Sequence, residues 1–149
     1  MAVNPDVVGW VFPPTEPYVV SAAKIREFAE AVGASDPAHL DRTVARSRGY
    51  ADVIAPPTFA VMIAQLCDRQ LVADPSAGID YSRVVHGEQK FVHHRPMTAG
   101  DEVVGVLHVD SVRSAGGHTM LTTRSELATT AGEALCTAVS TIVVRGEDA

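Results

Sequence analysis

The sequence predicts an α+β domain in which one antiparallel sheet curls around a long apolar helix. Three observations lead there. Residues 53–67, VIAPPTFAVMIAQLC, carry no charged side chain, and a helix that is apolar on all sides has to be enclosed by other structure. The second half of the chain reads as long strands joined by tight turns, which is the pattern of an antiparallel sheet. A length of 149 residues suits one domain with one core, burying roughly 70% of the unfolded surface. One sheet and one buried helix then have only each other to pack against.

The elements follow in order. After an irregular start with Pro5, Pro13, Pro14 and Pro17, Ser21 stands as the N-cap of a helix reaching about Val32. Ile25, Phe28, Ala29 and Val32 recur at helical spacing on one face, with Lys24, Arg26, Glu27 and Glu30 elsewhere, so this helix lies on a surface. Gly33 ends it at the position where a left-handed cap is commonest. A loop, GASDPAH, precedes a second short helix over residues 41–47, stopped by Gly49. The central helix opens at Pro57 or Thr58 and continues to about Val72. Strands are expected over residues 82–95, 102–114, 118–128 and 133–145, separated by TAGD, SAGG and TTAG, all turn signals.

Composition narrows the function. Apolar residues make up 46% of the chain and charged ones 20%, with a net charge of −6; no Lys/Arg stripe offsets that charge, which argues against nucleic acid as a partner. No apolar run reaches the roughly 20 residues that a bilayer requires, and the start lacks the features of a signal peptide, so a cytoplasmic protein is expected. Cys67 and Cys136 read as buried free thiols, with a disulfide left open. His93 and His94, neighbours on a strand, point to opposite faces and cannot together hold one ion. His86, His108 and His118 show no ligand spacing either. These histidines read as surface or hairpin residues.

Three stretches carry a family resemblance: GASDPAH, close to a loop of the form G-D-x-N-P-[IL]-H; VIAPPTF at the mouth of the central helix; and HGEQKF followed by RPMTAGDEV. Together they make the chain resemble the MaoC-like (R)-specific hydratases and dehydratases, whose domain is a hotdog fold, here a single domain over residues 1–149. Within that family it most resembles the HadA- and HadC-type subunits of actinobacterial (3R)-hydroxyacyl-ACP dehydratase.

The resemblance implies a 3-hydroxyacyl thioester, on CoA or acyl carrier protein, from which water is removed across C2 and C3 or to which it is added, with no metal or organic cofactor. Such chemistry needs a base for the proton beside the thioester carbonyl, an acid for the departing hydroxyl, and donors for the enolate-like oxygen. His39 matches the family's catalytic histidine, but the family's aspartate falls on Ala34. Asp36, at the asparagine position, is the substitute carboxylate that the loop offers. Two residues of displacement matter where errors of about 1 Å do. Ala55, Pro57, Thr58 and Phe59 match the substrate-binding helix mouth. Catalytic relatives have glycine there, whereas Pro57 has no N–H, leaving Thr58 or Phe59 to supply the oxygen's donor.

These departures imply an acyl-chain-holding subunit, in a homodimer or in a heterodimer with a HadB-like catalytic hotdog subunit. The rival readings are a hotdog acyl thioesterase, weakened by the absence of Asp or Glu over residues 53–67, and a non-enzymatic acyl-binding hotdog protein. Plainer roles exist for the site residues as well: His39 as a loop residue, Asp36 as an Asx-turn or N-cap, Phe59 as core packing.

Overall fold

The structure is a computed structural model and describes residues 2–147. Helix α1 (Ala22–Val32) begins where Ser21 Oγ accepts the Lys24 N–H at 3.1 Å and ends at Gly33, whose φ of 70° lies in the left-handed region. Helix α2 (Arg42–Ser47) is capped by Asp41, and α3 (Val61–Ala73) is the central helix. The short strand β1 (Tyr18–Val19) and the long strands β2 (Val84–His93), β3 (Glu102–Ala115), β4 (His118–Thr129) and β5 (Ala134–Val144) form one five-stranded sheet in the order β1-β3-β4-β5-β2. Every pairing is antiparallel. The sheet curls past α3, which is the hotdog arrangement.

Strands β3, β4 and β5 alternate between buried and half-buried residues, as expected of a sheet with one face on a core. Leu107, Leu121, Leu127, Leu135 and Ile142 bury that face against Ile63, Cys67 and Leu71 of α3. The approach is closest at Gly105, where an added Cβ would stand 2.4 Å from Cys67 Sγ and 2.8 Å from Leu127 Cδ2. Both cysteines are free and buried, and burial pushes each thiol up to about 11.

Two expectations need correction. The α-helix starts at Val61 rather than at Pro57 or Thr58, because the chain first turns through three-residue backbone bonds from Phe59 N–H to Pro56 O and from Val61 N–H to Thr58 O. Nor is α3 enclosed on all sides: Gln65 and Arg69 face solvent, while Met62, Leu66 and Val72 are half-buried. One open sheet covers one face of a helix, and the uncharged stretch ends at Asp68.

Asp68 is itself buried, 7% exposed, with Oδ1 accepting the Thr123 hydroxyl at 2.8 Å. Ser140 lies on its other side, and its hydroxyl donates to Gln89 Oε1 at 2.8 Å. Burial raises the Asp68 carboxyl above the usual carboxylate range, opposed by the hydrogen bond from Thr123 and by His86.

A raised carboxyl favours the folded state below the unfolded value of about 3.9, and that stability is lost as pH rises through the folded value. Asp68→Asn keeps the shape and cannot ionise, so its denaturant midpoint should gain on the wild type between pH 4 and pH 8; a constant difference across that range would contradict the assignment. At the close approach, Gly105→Ala should destabilise by about 1–3 kcal/mol through overpacking, measured by urea unfolding.

Candidate active site

The loop after α1 spends its residues on local structure before it presents a side chain. The Ala34 N–H donates to Ala29 O at 2.8 Å and closes α1. Asp36 caps the 3₁₀ turn Pro37–His39: its Oδ1 accepts the Ala38 N–H at 2.9 Å. Arg48 Nη1 reaches both carboxylate oxygens, at 2.7 and 3.0 Å. The Ala38 N–H and the Arg48 guanidinium hold the Asp36 carboxyl below its ordinary value, burial opposing them only in part. Asp36 is thus an ionised cap at the cavity's rim.

His39, the last residue of that turn, is 7% exposed. Its Nδ1 lies 2.7 Å from Ile54 O. A carbonyl only accepts, so Nδ1 carries the proton and Nε2 keeps its lone pair. The ring lines a cavity of about 350 Å³ together with Ala55, Pro57, Phe59, Ala60 and His93. A second hollow of about 830 Å³ flanks the later turns of α3, between Asp68, Arg69 and Val72 on the helix and Val84, His86 and Ile142 on the sheet.

The cavity brings His39, Asp36, Ala55, Pro57 and Phe59 together. Thr58 is solvent-exposed and outside the lining. Phe59 is fully buried and meets Phe28 edge-on at 5.4 Å. Its N–H donates to Pro56 O at 3.0 Å, so that N–H is already occupied.

His93 is the lining residue that sequence reasoning set aside. Its Nε2 donates to Pro57 O at 2.8 Å, and its ring stacks on Phe91 at 5.8 Å. Strand alternation separates His93 from His94 in sequence, but nothing local says that the His93 face looks toward the helix mouth. Among the described residues no three His, Cys, Asp or Glu side chains gather to hold a metal ion.

A family model described as "FAS1-like, dehydratase domain region" matches residues 6–138. The chain belongs to this MaoC-like dehydratase family. A UPF0336 protein of Clavibacter michiganensis is 52% identical over all of both chains. Among solved structures, a C-terminally truncated HadBC (3R-hydroxyacyl-ACP dehydratase) complex from Mycobacterium tuberculosis is similar at 28% identity and a TM-score of 0.83, over 93% of this chain and 97% of that one. A MaoC-like dehydratase is similar at 32% identity and a TM-score of 0.85, over 95% of this chain and 43% of the longer one. The MaoC-like fold here thus presents one buried imidazole with a free nitrogen, in a cavity whose only carboxylate is held by an arginine.

The His39 tautomer is directly measurable. At neutral pH, nitrogen NMR should show the protonated nitrogen to be Nδ1; a ring protonated at Nε2 would contradict the role given to Ile54 O.

Proposed function

We propose that this chain is the acyl-holding subunit of a (3R)-hydroxyacyl-thioester hydratase/dehydratase, acting in the cytoplasm on substrates carried by CoA or acyl carrier protein. It works with a second hotdog protein whose reaction loop retains both carboxylate and histidine. The observation that carries this reading is the state of the cavity's acid: Ala34 has no acidic side chain to offer, and Asp36, the substitute, is turned to Ala38 and Arg48. His39 Nε2 remains suited to accept a proton, but addition or removal of water asks for a second proton-transfer group on the substrate.

Other features support the same reading. The cavity beside His39 has room for a thioester head, against an apolar wall of Ala55, Phe59, Ala60 and Met97. Strand β2 is an edge of the sheet and exposes Val85 and Val92, and unpaired edges of that kind invite another strand. The similar HadBC structure is a two-chain complex named for this dehydratase activity. Two buried free thiols suit a reducing compartment.

Hydration of crotonyl-CoA, followed by loss of its enoyl absorbance, tests the proposal. The lone chain should be slower than its complex with a catalytic hotdog subunit by at least about 10²-fold, the usual contribution of a positioned acid or base. Fast hydration by the lone chain, abolished in His39→Ala, would overturn the subunit assignment and make this protein a complete hydratase.

A further inference from the structure

Gln65, Asp68, Arg69 and Val72 recur at helical spacing on α3 and form a stripe turned away from Ile63, Cys67 and Leu71, which meet the sheet. With Val84, His86 and Ile142 this stripe walls the hollow of about 830 Å³, which shares no residue with the cavity at His39. Gln65 and Arg69 face solvent, and among the described residues their side chains have no hydrogen-bond or ion-pair partner. Asp68, between them, is more than nine-tenths buried and leans to the sheet, where Thr123 donates to its Oδ1 at 2.8 Å.

The strand side of the hollow is brought in by HGEQKF. In an unbroken strand His86 and Gln89 face opposite ways. Here the register slips between His86 and Glu88, so Gly87 is the extra residue of a β-bulge. His86 therefore shares the inward face with Gln89, whose Oε1 accepts from the Ser140 hydroxyl beside Asp68. The titratable groups around Asp68 are thus His86 on β2 and, on its own helix, Cys67 and Arg69; β4 and β5 bring only the hydroxyls of Thr123 and Ser140. A buried carboxyl carried toward neutral pH, on the wall of an open hollow, is the setting in which a carboxylate works as a proton acceptor.

We propose that Asp68 is the general base of a second, hydrolytic site, which cleaves an acyl thioester or ester bound in this hollow. Asp68 takes one proton from a water molecule as the water oxygen bonds to the carbonyl carbon. The oxyanion so formed meets the unpartnered N–H groups of Gln65 and Arg69, one helical turn apart on either side of the base. When the carbonyl re-forms, the bond to sulfur or to the alcohol oxygen breaks, and the proton on Asp68 passes to that leaving group. A carboxylic acid and a thiol or alcohol result, with water the sole co-reactant. Val72, Val84 and Ile142 suit a short apolar acyl group. Residues 53–67 lack the carboxylate that such hydrolysis needs, and the next residue supplies it. This activity does not depend on the acyl-holding role at His39.

The test gives the chain, alone and in its complex with a catalytic hotdog subunit, butyryl-CoA and p-nitrophenyl butyrate, neither of which can be hydrated or dehydrated. Free thiol or nitrophenolate should appear from at least one, and the substrate cleaved identifies the leaving group. In Asp68→Asn, which keeps the shape of the carboxyl, kcat should fall by about 10²- to 10⁴-fold. Val72→Trp, which fills the hollow, should lose turnover as well. The wild-type kcat/KM should rise with pH through a midpoint above the ordinary carboxylate value of about 3.9, because the base acts only when ionised. That rise should vanish in Asp68→Asn, which a purely structural role for the carboxyl would not predict. A wild type that cleaves neither substrate, or cleavage that persists in Asp68→Asn, would overturn the inference. If Asp68→Asn does not fold, undiminished cleavage in Val72→Trp would overturn it. Hydration of crotonyl-CoA is read separately, so the proposed function stands or falls on its own result.

Discussion

The site depends on a few residues of extended chain, 53–55, that are bonded on both sides. Successive backbone groups of an extended chain point in opposite directions, so the Ile54 groups face one neighbour while those of Val53 and Ala55 face the other. On the first side, Ile54 N–H donates to Ala38 O at 3.1 Å and Ile54 O accepts from His39 Nδ1 at 2.7 Å. On the second, Ala55 N–H donates to Met97 O at 2.8 Å and Val53 O accepts from Ala99 at 3.0 Å. Two loops, one before and one after it in sequence, are thereby held to one segment. Pro56 and Pro57 then end the extended pairing, since neither can donate, and the chain turns into the central helix beside the imidazole it has just fixed.

The second of those loops is kept in shape by charge. Arg95 grips Asp101 with two parallel bonds, at 2.8 and 3.0 Å, and the Thr98 N–H adds a third to the same carboxylate at 2.8 Å. Burial works against ionisation of Asp101, yet Arg95 and Thr98 hold its carboxyl below the ordinary value. Glu133, just before β5, closes the other side of the guanidinium at 2.8 Å. A bidentate pair of this kind fixes orientation as well as distance. RPMTAGDEV, one of the stretches that carried the family resemblance, therefore serves as scaffold: it sets where Met97 O and Ala99 N–H meet the segment behind the cavity.

What the sequence made legible was local. Ser21 and Gly33 bound α1 through contacts within a few residues, and the turn residues at TAGD, SAGG and TTAG separate strands whose bounds come within two residues of those expected. What it hid was long-range. The absence of charge over residues 53–67 suggested one buried helix, but the stretch contains three structures: an extended segment, a turn through prolines, and only the first half of α3. Each avoids charge for its own reason, so composition alone could not divide them. His93 and Asp68 escaped notice for the same cause, because their partners, Pro57 and Thr123, lie 36 and 55 positions away. His39 could be singled out by its loop, but its tautomer follows from Ile54 O, 15 residues on.

Under the proposed assignment, position 34 explains how an acid could be lost from this loop without harm to the fold. The structural task there, closing α1, is done by the backbone: Ala34 N–H meets Ala29 O, and the left-handed turn belongs to Gly33. Any side chain but proline's leaves that bond in place, so alanine costs the loop nothing in conformation. Position 39 is different, because the imidazole both faces the cavity and ties its loop to Ile54, and its removal would take a structural bond as well as a chemical group. Under the proposed assignment this asymmetry accounts for the loop's present form: the acid, supported by no structural duty, is the group that could disappear, while the histidine is retained by the fold even where a partner subunit performs the proton transfers.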